Sequence, residues 1–260
     1  MHWPALLGIL TGPPLMILYL IVLLVVFDLR KQFRTRFVFL FMASAAINLT
    51  SFFNSWIIVR LNGEQSVWPY YDFLETHSGV RAVHAILNYF CFYAQNSMAV
   101  AFCAISWCTV RFPFSQSWIR WFWLCFAGLV SIAMIFSGVT YVLIDPFFIE
   151  YEGFYVFYQN DMYDLYMALE VSYGVAALLI CLAFNLLTRS ALHSGGLKKP
   201  GPAVRSTFIF SLFVFLGQCL NIISITGCST FVIIGGYDAA LLINNLSTIA
   251  TDVFVFGPVV

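Results

Sequence analysis

Two carboxyl side chains lie inside long apolar segments of the chain. Asp252 sits near the middle of the last segment, and Glu170 lies one to two turns into the fifth. An ionisable group at the centre of a bilayer costs about 3 kcal/mol, so such a residue indicates a functional site by default. For Asp252, the functional alternatives are a counter-ion for a ligand, a cation site and a group that switches on activation. The structural alternative is a protonated Asp that is hydrogen-bonded to nearby Ser or Asn. Glu170 fits a partner for a ligand amine, or a carboxylate that reaches outward to the interface.

Uncharged polar residues recur at helical spacing in two other segments. This spacing places most of the residues in a group on one face of a helix. Such a stripe either lines a ligand cavity or joins neighbouring helices by hydrogen bonds, and the sequence leaves both possibilities open. The first group comprises His84, Asn88, Tyr89 and Gln95, and the second comprises Gln218 and Asn221.

Sequence signatures of catalysis and of metal binding are absent. There is no GxSxG, no HExxH and no phosphate-binding glycine loop. The four histidines are too dispersed for a di-iron site, and no CxxC pair or Cys/His cluster suggests zinc. We therefore expect no enzyme, no metal site and no cofactor. The formal net charge of zero also argues against a nucleic-acid partner, which would favour a surplus of Lys and Arg.

The elements that must position these residues are membrane helices. The chain is 62% hydrophobic and 9% charged, whereas a soluble domain has about 25% charged residues. Crossing a bilayer takes about 20 helical residues, and lipid requires that each segment satisfy its own backbone hydrogen bonds. We predict an all-α membrane protein with a single seven-helix domain over residues 1–260. The segments are about 6–27, 37–59, 82–110, 121–144, 165–188, 206–228 and 239–260.

The basic residues assign a side to each connection. Ten of the twelve Lys and Arg fall in the first, third and fifth connections, whereas the other side is acidic. Because cytoplasmic loops are enriched in Lys and Arg, the N-terminus is predicted to lie outside. The second outer loop, residues 145–164, contains no cysteine. The disulfide that joins this loop to the third helix in many seven-helix receptors therefore cannot form.

Several motifs, taken in order, resemble those of a nematode serpentine chemoreceptor of the class gamma superfamily. The resemblance covers essentially the whole chain, and the joint order of the motifs carries it. The motifs are Gly12-Pro13-Pro14-Leu15, the loop Arg30-Lys31-Gln32-Phe33-Arg34-Thr35 before Phe37, Ile47-Asn48-Leu49 with Asn54 and Arg60, Ser97-Met98, Arg111-Phe112-Pro113-Phe114 followed by Trp118, and Asp252 followed by Pro258.

This resemblance implies a chemosensory-type G-protein-coupled receptor in the plasma membrane. A small ligand, apolar or weakly polar, would bind in the outer half of the bundle, and the inner loops would meet a heterotrimeric G protein. One departure concerns the end of the third helix, where the family carries an Asn-Arg pair and this chain has Ile105-Ser106-Trp107. The expected ligand-binding residues are His84, Asn88, Tyr89, Glu170, Gln218, Asn221 and Asp252, and the expected G-protein-facing residues are Arg34, Arg36, Ser106, Arg111 and Lys198.

Two other functions fit the same topology. A transporter or channel could use the intramembrane carboxyls Asp252 and Glu170, and it would be expected to show internal repeats and broken helices. The two halves of the chain show no convincing repeat. A degenerate receptor that no longer signals would have the same sequence pattern as an active one. For each basic residue of the inner loops, orientation and contact with anionic lipid form the simpler explanation.

Overall fold

Six long helices form the body of the part of the chain that the structure describes. The computed structural model describes residues 3–28, 30, 35–61, 64–112, 116–151, 154–158, 163–194 and 202–233. The elements in chain order are α1 (Trp3–Asp28), α2 (Thr35–Ser55), a π-helical turn (Trp56–Arg60), a 3₁₀ turn (Gln65–Val67), α3 (Trp68–Thr76), α4 (Ser78–Arg111), α5 (Gln116–Ile144), β1 (Phe147–Tyr151), β2 (Phe154–Tyr158), α6 (Tyr163–Ser194) and α7 (Pro202–Ile233).

The long helices contain the first six predicted segments, and α2 is completed by the π-helical turn that follows it. The seventh predicted segment, with Asp252, lies outside the described residues. Four described stretches are long and apolar enough to cross a membrane. They are Thr35–Ile58, Trp121–Ile144, Asp164–His193 and Thr207–Gly227.

Helix α4 is less apolar than these stretches because it occupies the centre of the bundle. It packs against α2, α5, α6 and α7. Residues 93–99 are buried without a break, and seven consecutive residues cover every face of a helix. A central helix meets protein rather than lipid, so it can carry polar side chains that bond to its neighbours. By contrast, α5 exposes large apolar side chains, including Val142 at 77% and Leu124 at 65%, as expected of a lipid-facing surface.

A β-hairpin follows α5 in the loop before α6, and the other described elements are helical, as predicted. Strands β1 and β2 pair antiparallel, with Phe147 opposite Tyr158 and Tyr151 opposite Phe154. The chain leaves α5 through Asp145, whose φ of 41° is in the left-handed region that Asp tolerates better than most residues. Aromatic residues then dominate both strands, and such residues favour pleated, half-buried surfaces. We call the end of the bundle that carries this structure the hairpin end.

The hairpin is attached to α3 by an aromatic clamp made of Tyr71, Asp72 and Tyr155. The Tyr155 ring stacks on Tyr71, with centroids 5.0 Å apart and an interplanar angle of 12°. The Tyr155 hydroxyl donates a hydrogen bond to Asp72 Oδ1, and the Tyr71 hydroxyl donates to the Ile57 carbonyl at 2.5 Å. Burial, with a smaller effect of neighbouring Tyr70, raises the pKa of Tyr71 above its usual value. These contacts hold the hairpin without a covalent bond.

Six cysteines with described side chains are free thiols. They comprise Cys91, Cys103, Cys108, Cys125, Cys181 and Cys219. Most of them are buried within the bundle, where a thiol acts as a small apolar side chain.

Candidate ligand-binding site

Most of the polar residues singled out on α4 lie on one face of the helix, as predicted, and Tyr89 lies on another. His84 and Gln95 point toward α2. The His84 Nδ1 lies 2.8 Å from Asn54 Oδ1 and its Nε2 lies 2.8 Å from the Tyr70 hydroxyl. Since Oδ1 can only accept, Nδ1 carries the proton and a neutral imidazole accepts from Tyr70. His84 therefore joins α4 to α2 and α3.

Gln95 makes a similar connection further from the hairpin end of the bundle. Its Nε2 donates to Asn48 Oδ1 at 3.2 Å, and the Asn48 Nδ2 donates to the Tyr19 hydroxyl at 3.2 Å. All three side chains are buried. A continuous set of hydrogen bonds thus links α4, α2 and α1. This face of α4 fixes helix packing, which is one of the two roles expected of a polar stripe.

Tyr89 lies on the opposite face of α4, against α6. Its ring is fully buried and meets the Tyr166 ring edge-on, with centroids 5.4 Å apart. Four residues further along α4, Tyr93 packs edge-on against Tyr173 of α6 at 4.9 Å. Tyrosines at four-residue spacing on α4 therefore meet tyrosines of α6 over two successive turns.

Glu170 lies among these rings, about two turns from the start of α6. Its side chain is only 7% exposed, so it does not reach outward to an interface. It shares one side of α6 with Tyr166 and Tyr173, which lie four residues before it and three after it. We call Tyr89, Tyr93, Tyr166, Glu170 and Tyr173 the tyrosine cluster.

Hydroxyl contacts join the tyrosine cluster to α4 and α5 on the side away from the hairpin end. The Tyr93 hydroxyl lies 2.9 Å from Thr140 Oγ1 of α5, and the Tyr173 hydroxyl lies 2.7 Å from Ser97 Oγ of α4. Phe136 of α5 packs against both tyrosine rings, at 5.5 and 5.1 Å. The cluster is therefore enclosed by α4, α5 and α6.

Three further polar contacts connect α4, α6 and α7, further from the hairpin end than the cluster. Near the middle of the bundle, Gln218 Nε2 donates to Asn96 Oδ1 at 3.0 Å, and both side chains are fully buried. Further from the hairpin end, Ser211 Oγ donates to Asn185 Oδ1 at 2.9 Å, and Asn185 Nδ2 lies 3.5 Å from Cys103 Sγ. These bonds fix the register of α4, α6 and α7 relative to one another.

The remaining predicted site residues are spread over the molecule. Asn88 is half-buried on α4, and Asn221 is buried on α7. Arg111 is exposed at the end of α4, and Arg36 is half-buried at the start of α2. Ser106 is 1% exposed, so it would contact a partner protein only after a change of conformation. The other three predicted residues, Arg34, Lys198 and Asp252, lie outside the described ranges.

The sequence prediction missed several residues of this region. Tyr93 and Asn96 continue from Tyr89 at steps of four and three, a helical pattern that the sequence already shows. Tyr166 and Tyr173 lie four before and three after Glu170, on the same side of α6. Their convergence on one another depends on how α4 packs against α6, which periodicity does not reveal.

The comparison with protein families agrees with this layout. The profile of the Srg family chemoreceptor matches residues 8–260. The chain belongs to the Srg family. This family consists of nematode serpentine chemoreceptors, so the resemblance seen in the sequence motifs is confirmed. No curated protein is similar enough to the chain to count as a match.

Membership of the Srg family identifies the protein as a chemosensory receptor embedded in a membrane. The Srg family is not a family of enzymes. In the described ranges, no group of three or more His, Cys, Asp or Glu side chains could hold a metal ion. The tyrosine cluster is accordingly a candidate for binding a ligand through hydrogen bonds, charge and aromatic rings.

Proposed function

We propose that this Srg receptor binds a small molecule at the tyrosine cluster and transmits the event to a heterotrimeric G protein. The observation that carries the proposal is Glu170, a carboxyl buried among tyrosines of α4 and α6. A buried charged group is costly unless paired, and in membrane segments such groups mark binding or transport sites. Asn88, Gln218 and Asn221 stay proposed ligand contacts, whereas His84 faces α2 and α3 and would act by fixing how α4 packs.

The proposal includes a seven-span topology with the N-terminus outside, in the plasma membrane. The distribution of Lys and Arg supports this orientation. The hairpin end would then face the exterior, and a ligand would reach the cluster from outside. The predicted segment 239–260 would form the seventh helix and contribute Asp252 to the same site.

Signalling would require two packing arrangements of α4, α6 and α7. The bond between Asn96 and Gln218 joins α4 to α7, and the bond between Asn185 and Ser211 joins α6 to α7. A ligand shifts such an equilibrium only by as much as it prefers one arrangement. A ligand beside Tyr173 would contact α6, the helix that also carries Asn185. The bonds of Asn96 and Asn185 to α7 therefore join the helices that would rearrange.

The cytoplasmic contact would come from the end of the bundle opposite the hairpin. Arg111 is exposed there at the end of α4, and Arg36 lies at the start of α2. Together with Arg34 and Lys198, they would form a basic surface for the G protein, with Ser106 reached after activation. Contact with anionic lipid accounts equally for each basic residue taken singly.

A cell-based G-protein activation assay with a broad panel of small volatile and water-soluble compounds tests the function. Active compounds should lose potency in Glu170→Gln and keep it in Glu75→Gln, because Glu75 is an exposed carboxyl on α3. Surface labelling must first show that each variant reaches the cell surface. A receptor that reaches the surface but responds to no compound would contradict the signalling proposal.

Two further measurements address topology and the rival function. An epitope inserted at the N-terminus should be accessible in intact cells, whereas one placed between residues 195 and 201 should require permeabilisation. Ion or solute flux through reconstituted vesicles that is lost in Asp252→Asn would instead indicate a transporter or channel.

A further inference from the structure

We propose that His84 is an acid-sensitive latch, which holds a cap on the hairpin end in neutral solution and loosens it when the imidazole is protonated. The cap consists of α3 and the β-hairpin, which the aromatic clamp joins to each other. His84 lies on the face of α4 that is turned toward α2 and α3. The inference therefore concerns a different face of α4 from the proposed ligand site and does not depend on that site.

The hydrogen bonds of His84 fix which of its ring nitrogens carries the proton. Asn54 Nδ2 donates to the His84 carbonyl at 3.0 Å, so the amide oxygen of Asn54 is the atom that meets the ring. This Oδ1 lies 2.8 Å from His84 Nδ1 and can only accept, so Nδ1 is the protonated nitrogen. Nε2 is therefore the basic nitrogen, and it accepts from the Tyr70 hydroxyl at 2.8 Å.

A second proton on the ring changes the contact with α3 and leaves the contact with α2 as it is. The proton adds to Nε2, the acceptor of the Tyr70 hydroxyl, so both ring nitrogens become donors. The hydroxyl must then turn to accept from Nε2–H, and its own proton loses the acceptor that held it. By contrast, Nδ1–H still donates to Asn54. Protonation of His84 thus weakens the attachment of α3 to α4 and keeps α4 attached to α2.

The groups around the ring disfavour a positive charge while the cap is docked. His84 is half-buried, and burial is costly for a charged side chain that is not paired. Arg81 lies one turn earlier on α4, where residues three apart are neighbours, and it carries a like charge. The described side chains that are hydrogen-bonded to the ring, Asn54 of α2 and Tyr70 of α3, are both uncharged.

The carboxylates of α3 do not offset this charge. Asp72 accepts from the Tyr155 hydroxyl, and Glu75 lies five residues beyond Tyr70, which turns a helix by about 140°. Both carboxylates are exposed, so solvent and salt screen them. When the cap undocks, water reaches the His84 ring, and the undocked state therefore binds the proton more readily. Because the undocked state binds more protons, docking weakens as pH falls.

Two hydroxyls of α3 fasten the cap to the long helices. Tyr70 donates to His84 of α4, and Tyr71 donates to the Ile57 carbonyl in the π-helical turn that follows α2. Acid acts on the first of these bonds only. The second bond remains, so the cap should loosen in acid rather than detach.

Hydrogen–deuterium exchange of α3 at two pH values tests the latch on the purified full chain in lipid nanodiscs. Dividing each rate by the intrinsic rate at the same pH leaves the protection that the structure provides. Between about pH 7.5 and about pH 5, the protection of Trp68–Thr76 should fall about fivefold, the effect of losing one hydrogen bond. The peptide that covers Thr35–Ser55 should keep its protection. Unchanged protection of α3, or an equal loss in α2, would overturn the proposal.

Substitutions of two histidines assign the acid effect. His84→Gln keeps an amide that can donate to Asn54 and accept from Tyr70 but does not titrate, so the protection of α3 should no longer change with pH. His77→Gln is the matched control, because His77 is a second histidine at this end and its ring stacks on Phe73 of α3. This control should keep the fivefold change. An acid effect that persists in His84→Gln, or that disappears in His77→Gln, would refute the latch.

If His84→Gln does not fold, Tyr70→Phe decides the question. This substitution removes the hydroxyl that competes with a proton for Nε2 and leaves His84 and Asn54 in place. At about pH 7.5, α3 should be less protected than in the unmodified protein, and the further fall toward about pH 5 should be about twofold or less. A fall that stays fivefold would contradict the proposal, because this variant has no Tyr70 hydrogen bond to lose.

Discussion

Removing the hydroxyl of Tyr155 should loosen the hairpin while leaving the helix bundle folded. The hydroxyl donates to Asp72, and hydrogen bonds to charged groups contribute about 1.5–3 kcal/mol. Asp72 is exposed, so water replaces the lost donor and the cost falls toward the lower limit. We expect Tyr155→Phe to reduce the free energy of hairpin docking by about 1 kcal/mol.

Removing the whole ring should have a larger effect. The Tyr155 side chain is 5% exposed and contacts both Tyr71 and Trp68, with ring centroids 5.0 and 5.9 Å apart. Each aromatic pair contributes about 0.5–1.5 kcal/mol beyond burial, and truncating a buried aromatic residue to Ala costs about 3–5 kcal/mol. Tyr155→Ala should therefore release the hairpin from α3.

Hydrogen–deuterium exchange of the peptide that covers β1 and β2 measures this docking. A loss of 1.4 kcal/mol accelerates exchange about tenfold when exchange reports local opening. Tyr155→Phe should accelerate hairpin exchange about fivefold, and Tyr155→Ala should remove most of the protection. Peptides of α4 should exchange as in the unmodified protein. Glu75→Gln provides a control, since Glu75 is an exposed carboxyl on the same short helix.

A double-mutant cycle gives the result that would refute this reasoning. Tyr155→Phe and Asp72→Ala remove the two sides of one hydrogen bond, so their effects should be non-additive by about 1 kcal/mol. Strictly additive effects would show that the bond does not stabilise the docked hairpin. Unchanged exchange in Tyr155→Ala would show that the aromatic clamp does not hold it at all.

Three other outcomes follow from particular contacts. Burial raises the pKa of Tyr71 above its usual value of 10. The stability that the neutral Tyr71 hydroxyl gives to hairpin docking is therefore present below pH 10 and is lost as pH rises further. Hydrogen exchange of the hairpin should accelerate in that pH range, and Tyr71→Phe should remove the acceleration. A Cβ on Gly174 would overlap Ile222 of α7, so Gly174→Ala should cost about 1–3 kcal/mol and lower the Tm, with partial rescue by Ile222→Ala. Gln218→Leu leaves the buried Asn96 Oδ1 without its donor and should cost about 1–3 kcal/mol, whereas adding Asn96→Leu should recover part of the lost Tm.

The helices were predictable because long apolar runs leave the backbone no other form in lipid. The hairpin was not predicted, although Phe147–Tyr151 and Phe154–Tyr158 are separated by Glu152-Gly153 in the sequence. Two short aromatic-rich runs joined by a residue pair that ends in Gly are typical of a β-hairpin. The position of residues 145–164 between two apolar segments indicates only a loop, whereas the hairpin follows from this local pattern.

The candidate site was predictable only in part. Glu170 stood out because a carboxyl in an apolar segment is rare. Helical spacing places His84, Asn88 and Gln95 on one face of α4, whereas Tyr89 lies five residues after His84, which turns a helix by about 140°. His84 and Tyr89 therefore meet different neighbours. Which tyrosines surround Glu170 depends on the packing of α4 against α6, and no pattern within a single segment contains that information.

The non-covalent attachment of the hairpin affects how this receptor could be made and handled. Residues 145–164 contain no cysteine, so the docking of this loop does not wait for thiol oxidation during biosynthesis. Reducing agents that open the loop disulfides of other receptors would leave the contacts between Tyr155, Tyr71 and Asp72 intact. The protein should therefore keep its hairpin in place when it is produced in reducing cell-free extracts or purified in the presence of thiols.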